Sequence, residues 1–220
     1  MSIREKILRY LLLIAGIFFI GLGIAVAKQS NLGISPVSSL PNVLNIKFPF
    51  LTIGNWLTVF NCLLILIQII ILRRGFKPIQ LLQFPISLLL GIFTDINVAI
   101  VSLLKLSSDT YIENLLFVLV SILIIALGIS LTVIANVIMN VGEAFVSVIS
   151  KVTNKNFGTI KVLFDVGCVL SAVVLSLIFF DFKIVGVREG TIITAILTGF
   201  VVKWFIKTIK NPILKVITKN

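Results

Sequence analysis

The chain predicts an all-α polytopic membrane protein, with six transmembrane helices forming a 3+3 inverted-topology repeat and a non-spanning segment after helices one and four. Three observations predict it. Hydrophobic residues fill 59% of the 220 positions, charged residues 12%, and mean hydropathy is +1.20, which leaves too little polar surface to coat a water-soluble globule of this size. Six apolar runs of about 20 residues match a hydrocarbon core about 30 Å thick. Short matches between the two halves share an offset of 105 to 108 residues, the mark of a duplicated unit.

The first run, Tyr10 to Ala27, follows Arg4, Lys6 and Arg9. Its Ala25-Val26-Ala27 also fits a signal-peptide cleavage site, but Leu22-Gly23-Ile24 recurs as Leu127-Gly128-Ile129, so we expect the segment to be kept as part of the repeat. The stretch from Asn31 to Phe50 is broken by Pro41 and Pro49 and reads as interfacial or re-entrant. A second span covers Leu51 to Leu72 and stops at Arg73 and Arg74, with Gly75 and Pro78 marking a turn. The third, Ile79 to Leu104, is expected to be interrupted by Pro85 and carries Asp95. Residues 1–105 then form the first unit and 106–114 a linker.

The second unit, residues 115–206, repeats the order: a span from Leu115 to Ile138, an amphipathic non-spanning segment from Gly142 to Asn156, and spans from Phe157 to Phe180 and Thr191 to Phe205. Residues 207–220 read as a basic cytoplasmic tail.

The net charge of +11 would suggest nucleic acid in a soluble protein. Here the basic residues sit in short segments between apolar runs, which is how topology is encoded, and we expect no nucleic-acid role. Placing both termini inside puts fourteen of the nineteen Lys and Arg residues on the inner side, so the termini are predicted to be cytoplasmic. Cys62 and Cys168 lie within apolar runs and there is no histidine, so we expect no metal, no cofactor and no catalytic constellation. The chain is not expected to be an enzyme.

The matched positions are Asn31 with Asn136, Thr52-Ile53 with Thr159-Ile160, Thr58 with Asp165, Gly91 with Gly199, and Asp95 with Lys203. Three spans per unit force the second copy upside down, the plan of many secondary transporters. Inversion sends Pro36, Thr58 and Asp95 toward the outer side. It sends Gly142, Glu143, Lys161, Asp165 and Lys203 toward the inner side. A carboxylate at the depth of Asp165 costs on the order of 3 kcal/mol and needs a partner, a proton or a water-filled cavity. Each residue also has a plainer reading. Lys161 and Asp165, four apart, form a local ion pair; Glu143 sits at headgroup level near a helix start; Asp95 is solvated near the outer surface; Asn55, Thr58 and Asn61 tie helices together.

Asn31-Leu32-Gly33-Ile34-Ser35-Pro36, Gly91-Ile92-Phe93-Thr94-Asp95, and Gly142-Glu143 followed by Phe157-Gly158-Thr159-Ile160-Lys161 and Phe164-Asp165 resemble the YczE/YitT-type bacterial membrane proteins. Val141-Gly142-Glu143 stands where that family has a Pro-Gly-acid turn, and Lys203 stands in place of an acid. The resemblance implies a bacterial plasma membrane and, for some members, a link to making or exporting peptide antibiotics.

Two functions follow as expectations. One is a small-solute permease or exporter working by alternating access, with Thr58, Asp95, Lys161, Glu143, Asp165 and Lys203 as candidates for binding an unknown small solute or a coupling proton. The other is a non-transporting accessory or scaffold protein of a membrane biosynthetic or export complex. Expected partners are the lipid bilayer, a second copy in a homodimer, and a protein at the cytoplasmic face.

Overall fold

A computed structural model of the chain describes residues 2–104 and 110–218, and these form eight α-helices with no strand. Helix α1, Ile3–Gln29, starts where the Ser2 hydroxyl accepts the Glu5 amide. Helix α5, Tyr111–Ala135, starts with a reciprocal Thr110–Glu113 capping box, so residues 111–114 of the expected linker are helical. Residues 105–109, which hold the rest of that linker, lie outside the described residues. Both helices end just before an asparagine in the left-handed region, Asn31 at φ 53° and Asn136 at φ 49°. Asparagine tolerates that conformation better than most residues. Asn136 therefore ends α5 at Ala135, short of the expected Ile138, although the apolar run continues.

α1 and α5 form the core pair. More than half of the most apolar stretch of each, 56%, is buried, against 6% for the last helix. They run antiparallel: Arg9, near the start of α1, donates to the Ala135 carbonyl at the end of α5 at 3.0 Å. Glycines let the backbones touch. A methyl group on Gly128 would lie 2.7 Å from Gly16 O and 2.7 Å from Ile20 N, and one on Gly23 would lie 2.9 Å from Ile125 N and 3.1 Å from Ser121 O.

Taking the start of α1 as the lower end of the bundle fixes the direction of every other helix. Helix α2, Pro36–Lys47, and helix α6, Val141–Thr153, have 12 and 13 residues, about 18–20 Å at the α-helical rise and too short to cross a hydrocarbon core. Helix α3, Ile53–Leu72, begins at the upper end, where Asn45 joins Lys28 to the Leu51 carbonyl. Two short 3-10 turns, Arg73–Gly75 and Pro78–Leu82, lead into α4, Gln83–Leu103, which returns upward. Pro85 does not interrupt α4. It is the third helical residue, where a missing N–H costs no intrahelical bond. Helix α7, Phe157–Phe179, ends at the upper end, where Lys47 reaches the Phe179 carbonyl at 2.8 Å. Helix α8, Glu189–Thr218, starts there too, its Gly190 amide on the Leu32 carbonyl, and runs down. Its helix continues past Pro212, so described residues of the expected tail extend α8.

α4 packs on α1, α8 on α5, α2 on α7 and α3, and α6 on α3 and α7. α3 also packs closely on α4, through Gly54 and Gly91. α7 and α8 make at most a marginal contact, and nothing lies within 4 Å of a methyl group placed on Gly199. Six helical stretches are long and apolar enough to span a bilayer, and the chain is a multi-pass membrane protein.

Replacing Gly128 by Val is expected to cost about 1–3 kcal/mol, because backbone atoms of α1 must move aside. Gly199→Ala is expected to leave stability unchanged. Thermal unfolding in detergent checks both, and equal melting points for the two variants would contradict the close α1–α5 crossing.

Candidate functional site

The candidate residues fall in four places. At the upper end, Asp95 on α4 caps the start of α3: its carboxylate accepts the Thr52 hydroxyl at 2.5 Å and the Gly54 amide at 2.8 Å. A carboxylate is favoured there because the first amides of a helix lack partners and carry partial positive charge. One turn further along α3, the Thr58 hydroxyl donates to Gly54 O at 2.9 Å and to Ser87 O at 3.3 Å. Gly54 thus joins Thr58 and Asp95 in one helix-to-helix joint. The Thr58 hydroxyl is occupied inside the α3–α4 contact.

On α7, Lys161 and Asp165 form an ion pair at 2.7 Å, with side chains 32% and 15% exposed. The ammonium also lies 5.7 Å from the Phe164 ring centroid, and Phe164 stacks on Phe145 of α6. The pair is set by the spacing along the helix and satisfies both charges locally. Lys203 is exposed on α8, away from that pair, so the expected inner cluster is not assembled as one site.

Glu143 sits in the first turn of α6, the helix-start placement of its plainer reading. α6 begins against the start of α2, where a methyl group on Gly142 would lie 3.9 Å from the Val37 side chain. Glu143, the third residue of α6, lines a lower-end cavity of about 360 Å³ together with Gln80, Asn136, Asn140, Ser147 and Lys151. Among the described residues its carboxylate has no hydrogen-bond or ion-pair partner. The cavity wall mixes apolar side chains with the Glu143 carboxylate and the Lys151 ammonium, and the unpartnered carboxylate offers an acceptor to a cation or a solute amine.

A second cavity, of about 570 Å³, opens at the upper end between the end of α1, α2, the end of α4 and the loop before α8. Its wall includes Lys28, Asn42, Ser102 and Arg188. The sequence did not single these out. A cation at a helix end reads as a topology signal, and nothing along the chain shows that Lys28 and Arg188 meet. The shared offset could have found them, since Asn42 and Ser147, which line the two cavities, are 105 residues apart.

A family model described as a family of unknown function, DUF6198, matches residues 7–207. The chain belongs to this family. No curated protein and no solved structure matches it. The family match takes in both cavities, the Asp95 joint and the Lys161–Asp165 pair.

Asp95→Ala is expected to destabilise the protein by about 1–2 kcal/mol, the size of losing a helix cap and its charged acceptor. Lys203→Ala on the exposed face is expected to change stability little. The pair of melting curves tests this, and an unchanged Asp95→Ala protein would show that the α3–α4 joint does not depend on the carboxylate.

Proposed function

We propose that the protein is a small-solute permease or exporter of the bacterial plasma membrane that works by alternating access between two inverted three-helix units. The observation that carries this is the meeting of two half-length helices. α2 and α6 start against one another at Val37 and Gly142, and each runs from that meeting point toward its own end of the bundle, beside its own cavity. Helices that begin inside a membrane present unpaired amides to the interior, the arrangement that transporters use to hold polar solutes near the midplane.

Inversion is supported position by position. Gly16, Ile20 and Gly23 of α1 correspond at an offset of 105 to Ser121, Ile125 and Gly128 of α5. Gly23 meets Ser121 and Ile125, while Gly128 meets Gly16 and Ile20, as a two-fold axis between antiparallel copies requires. The joining asparagines, Asn31 and Asn136, share both the offset and the left-handed conformation.

The halves differ in one contact. α3 and α4 are closed on one another at the Asp95 joint, whereas α7 and α8 stand apart. Alternating access needs one construction in two arrangements, and the two halves hold equivalent helix pairs in an open and a closed form. Glu143 is the coupling residue in this reading, because it faces a cavity without a partner; Asp165 is held by Lys161. With the termini cytoplasmic, the Glu143 cavity opens inward. The likeness to YczE/YitT-type proteins fits the same proposal. The accessory reading would place partner docking on the exposed Lys207, Lys210 and Lys215 of α8, with Glu143 dispensable.

The test is solute uptake and release by proteoliposomes across a panel of metabolites, with and without a pH gradient. The expected result is movement of at least one solute that Glu143→Gln reduces on the order of 100-fold, within the range seen for loss of general acid–base groups. Movement of no solute, or movement indifferent to Glu143→Gln, would count against the proposal.

A further inference from the structure

We propose that the upper cavity binds a small organic anion, a phosphate or carboxylate that carries a hydroxyl or ammonium donor beside its charge. Naming this anion as the transported solute rests on the permease reading; binding in the cavity does not.

Two cations reach the cavity wall and no carboxylate does. Lys28 gives one donor to Asn45 Oδ1 at 2.6 Å, leaving two of its three donors for a ligand. Arg188 touches the Glu189 carboxylate at 3.0 Å and the Asn31 carbonyl at 3.4 Å through its two terminal nitrogens. Its remaining N–H groups are left for a ligand. Of the nearest acids, Asp95 is held by Thr52 and Gly54, and Glu189 takes one edge of Arg188 in a half-exposed pair, leaving Lys28 the cation with no carboxylate bonded to it among the described residues. Two cations on one concave wall draw an anion to it, and the part-buried Lys28 holds it more strongly than a fully solvated ammonium would.

Asn42 supplies the second half of the recognition. It is 5% exposed, its amide N–H is spent on the Gly186 carbonyl at 3.2 Å, and its carbonyl oxygen has no partner. A buried acceptor without a donor is costly, so the ligand that fits must bring one. A fully deprotonated anion such as sulfate has none to offer; a hydroxyl or ammonium next to the anionic group does.

The duplication sharpens the point. At the offsets of 105 and 108 that relate the halves, Lys28 corresponds to Val133 and Arg188 to Gln80, both on the wall of the lower cavity. Both cations are therefore particular to the upper cavity, while the lower one has the carboxylate of Glu143 and the ammonium of Lys151. The two ends differ in charge on a shared frame.

The test uses the full chain purified in neutral detergent, with melting followed against glycerol 1-phosphate, sulfate and glycerol, and in phosphatidylglycerol micelles. Glycerol 1-phosphate is expected to raise the melting point by mass action, sulfate less, and glycerol not at all. Lys28→Gln and Arg188→Gln are each expected to weaken the response on the order of tenfold, as for loss of a charged hydrogen bond; the exposed Lys207→Gln is expected to leave it intact. Asn42→Leu is expected to remove the preference for glycerol 1-phosphate over sulfate. A rise with phosphatidylglycerol alone, lost in the same variants, would assign the same chemistry to a lipid headgroup. For variants that do not fold, Ser102→Cys in a Cys62→Ser, Cys168→Ser chain gives a second reading: glycerol 1-phosphate or phosphatidylglycerol is expected to slow its maleimide labelling. Overturning results are a flat response to all the anions with unslowed labelling, or a response undiminished in folded Lys28→Gln and Arg188→Gln proteins.

Discussion

The structure depends on the close antiparallel crossing of α1 and α5. In a bilayer, helices gain little from hiding apolar side chains from lipid, so association relies on packing, and packing is best where small residues let backbones meet. Gly16, Gly23 and Gly128 supply that approach, and Arg9 ties the lower end to the last turn of α5. Each core helix then carries one partner, α4 on α1 and α8 on α5. The short helices add a second set of contacts between the halves, α2 on α7 and α6 on α3.

Outside that seam the halves are held by different chemistry, and one pair of positions accounts for it. Asp95 and Lys203 correspond at an offset of 108. A carboxylate at the start of α3 completes its unpaired amides and brings α4 with it. An ammonium offered to the start of α7 would face the positive end of a helix dipole. α4 is therefore docked on α3, while α8 lies against α5, touches α1 and α2, and meets α7 marginally at most. In the proposed inverted repeat, this charge swap accompanies a frame that is closed between α3 and α4 and open between α7 and α8. It also leaves Lys161 and Asp165 to neutralise one another within α7.

Much of the frame was legible in the sequence because it rests on periodic and local signals. Apolar run lengths gave the six long helices, and the four-residue spacing of Lys161 and Asp165 gave their pair. The errors came where a single residue outweighed a run: Asn136 stops α5 against its apolar continuation, and Pro85 is harmless because it falls in a first turn. Thr58 had two readings, cavity lining or a tie between helices, and its bonds to the Gly54 and Ser87 carbonyls favour the tie. The upper cavity was invisible because its polar wall comes from the ends of α1 and α4, from α2 and from a late loop.

The central claim is that equivalent cavities of the two halves open at opposite faces of the membrane. The most direct test is labelling of single cysteines, Ser102→Cys in the upper cavity and Ser147→Cys in the lower, in a chain whose own Cys62 and Cys168 are replaced by serine. With a membrane-impermeant maleimide, Ser102→Cys should react from outside the cell only and Ser147→Cys only in inverted vesicles. Labelling of both from the same side would contradict the account.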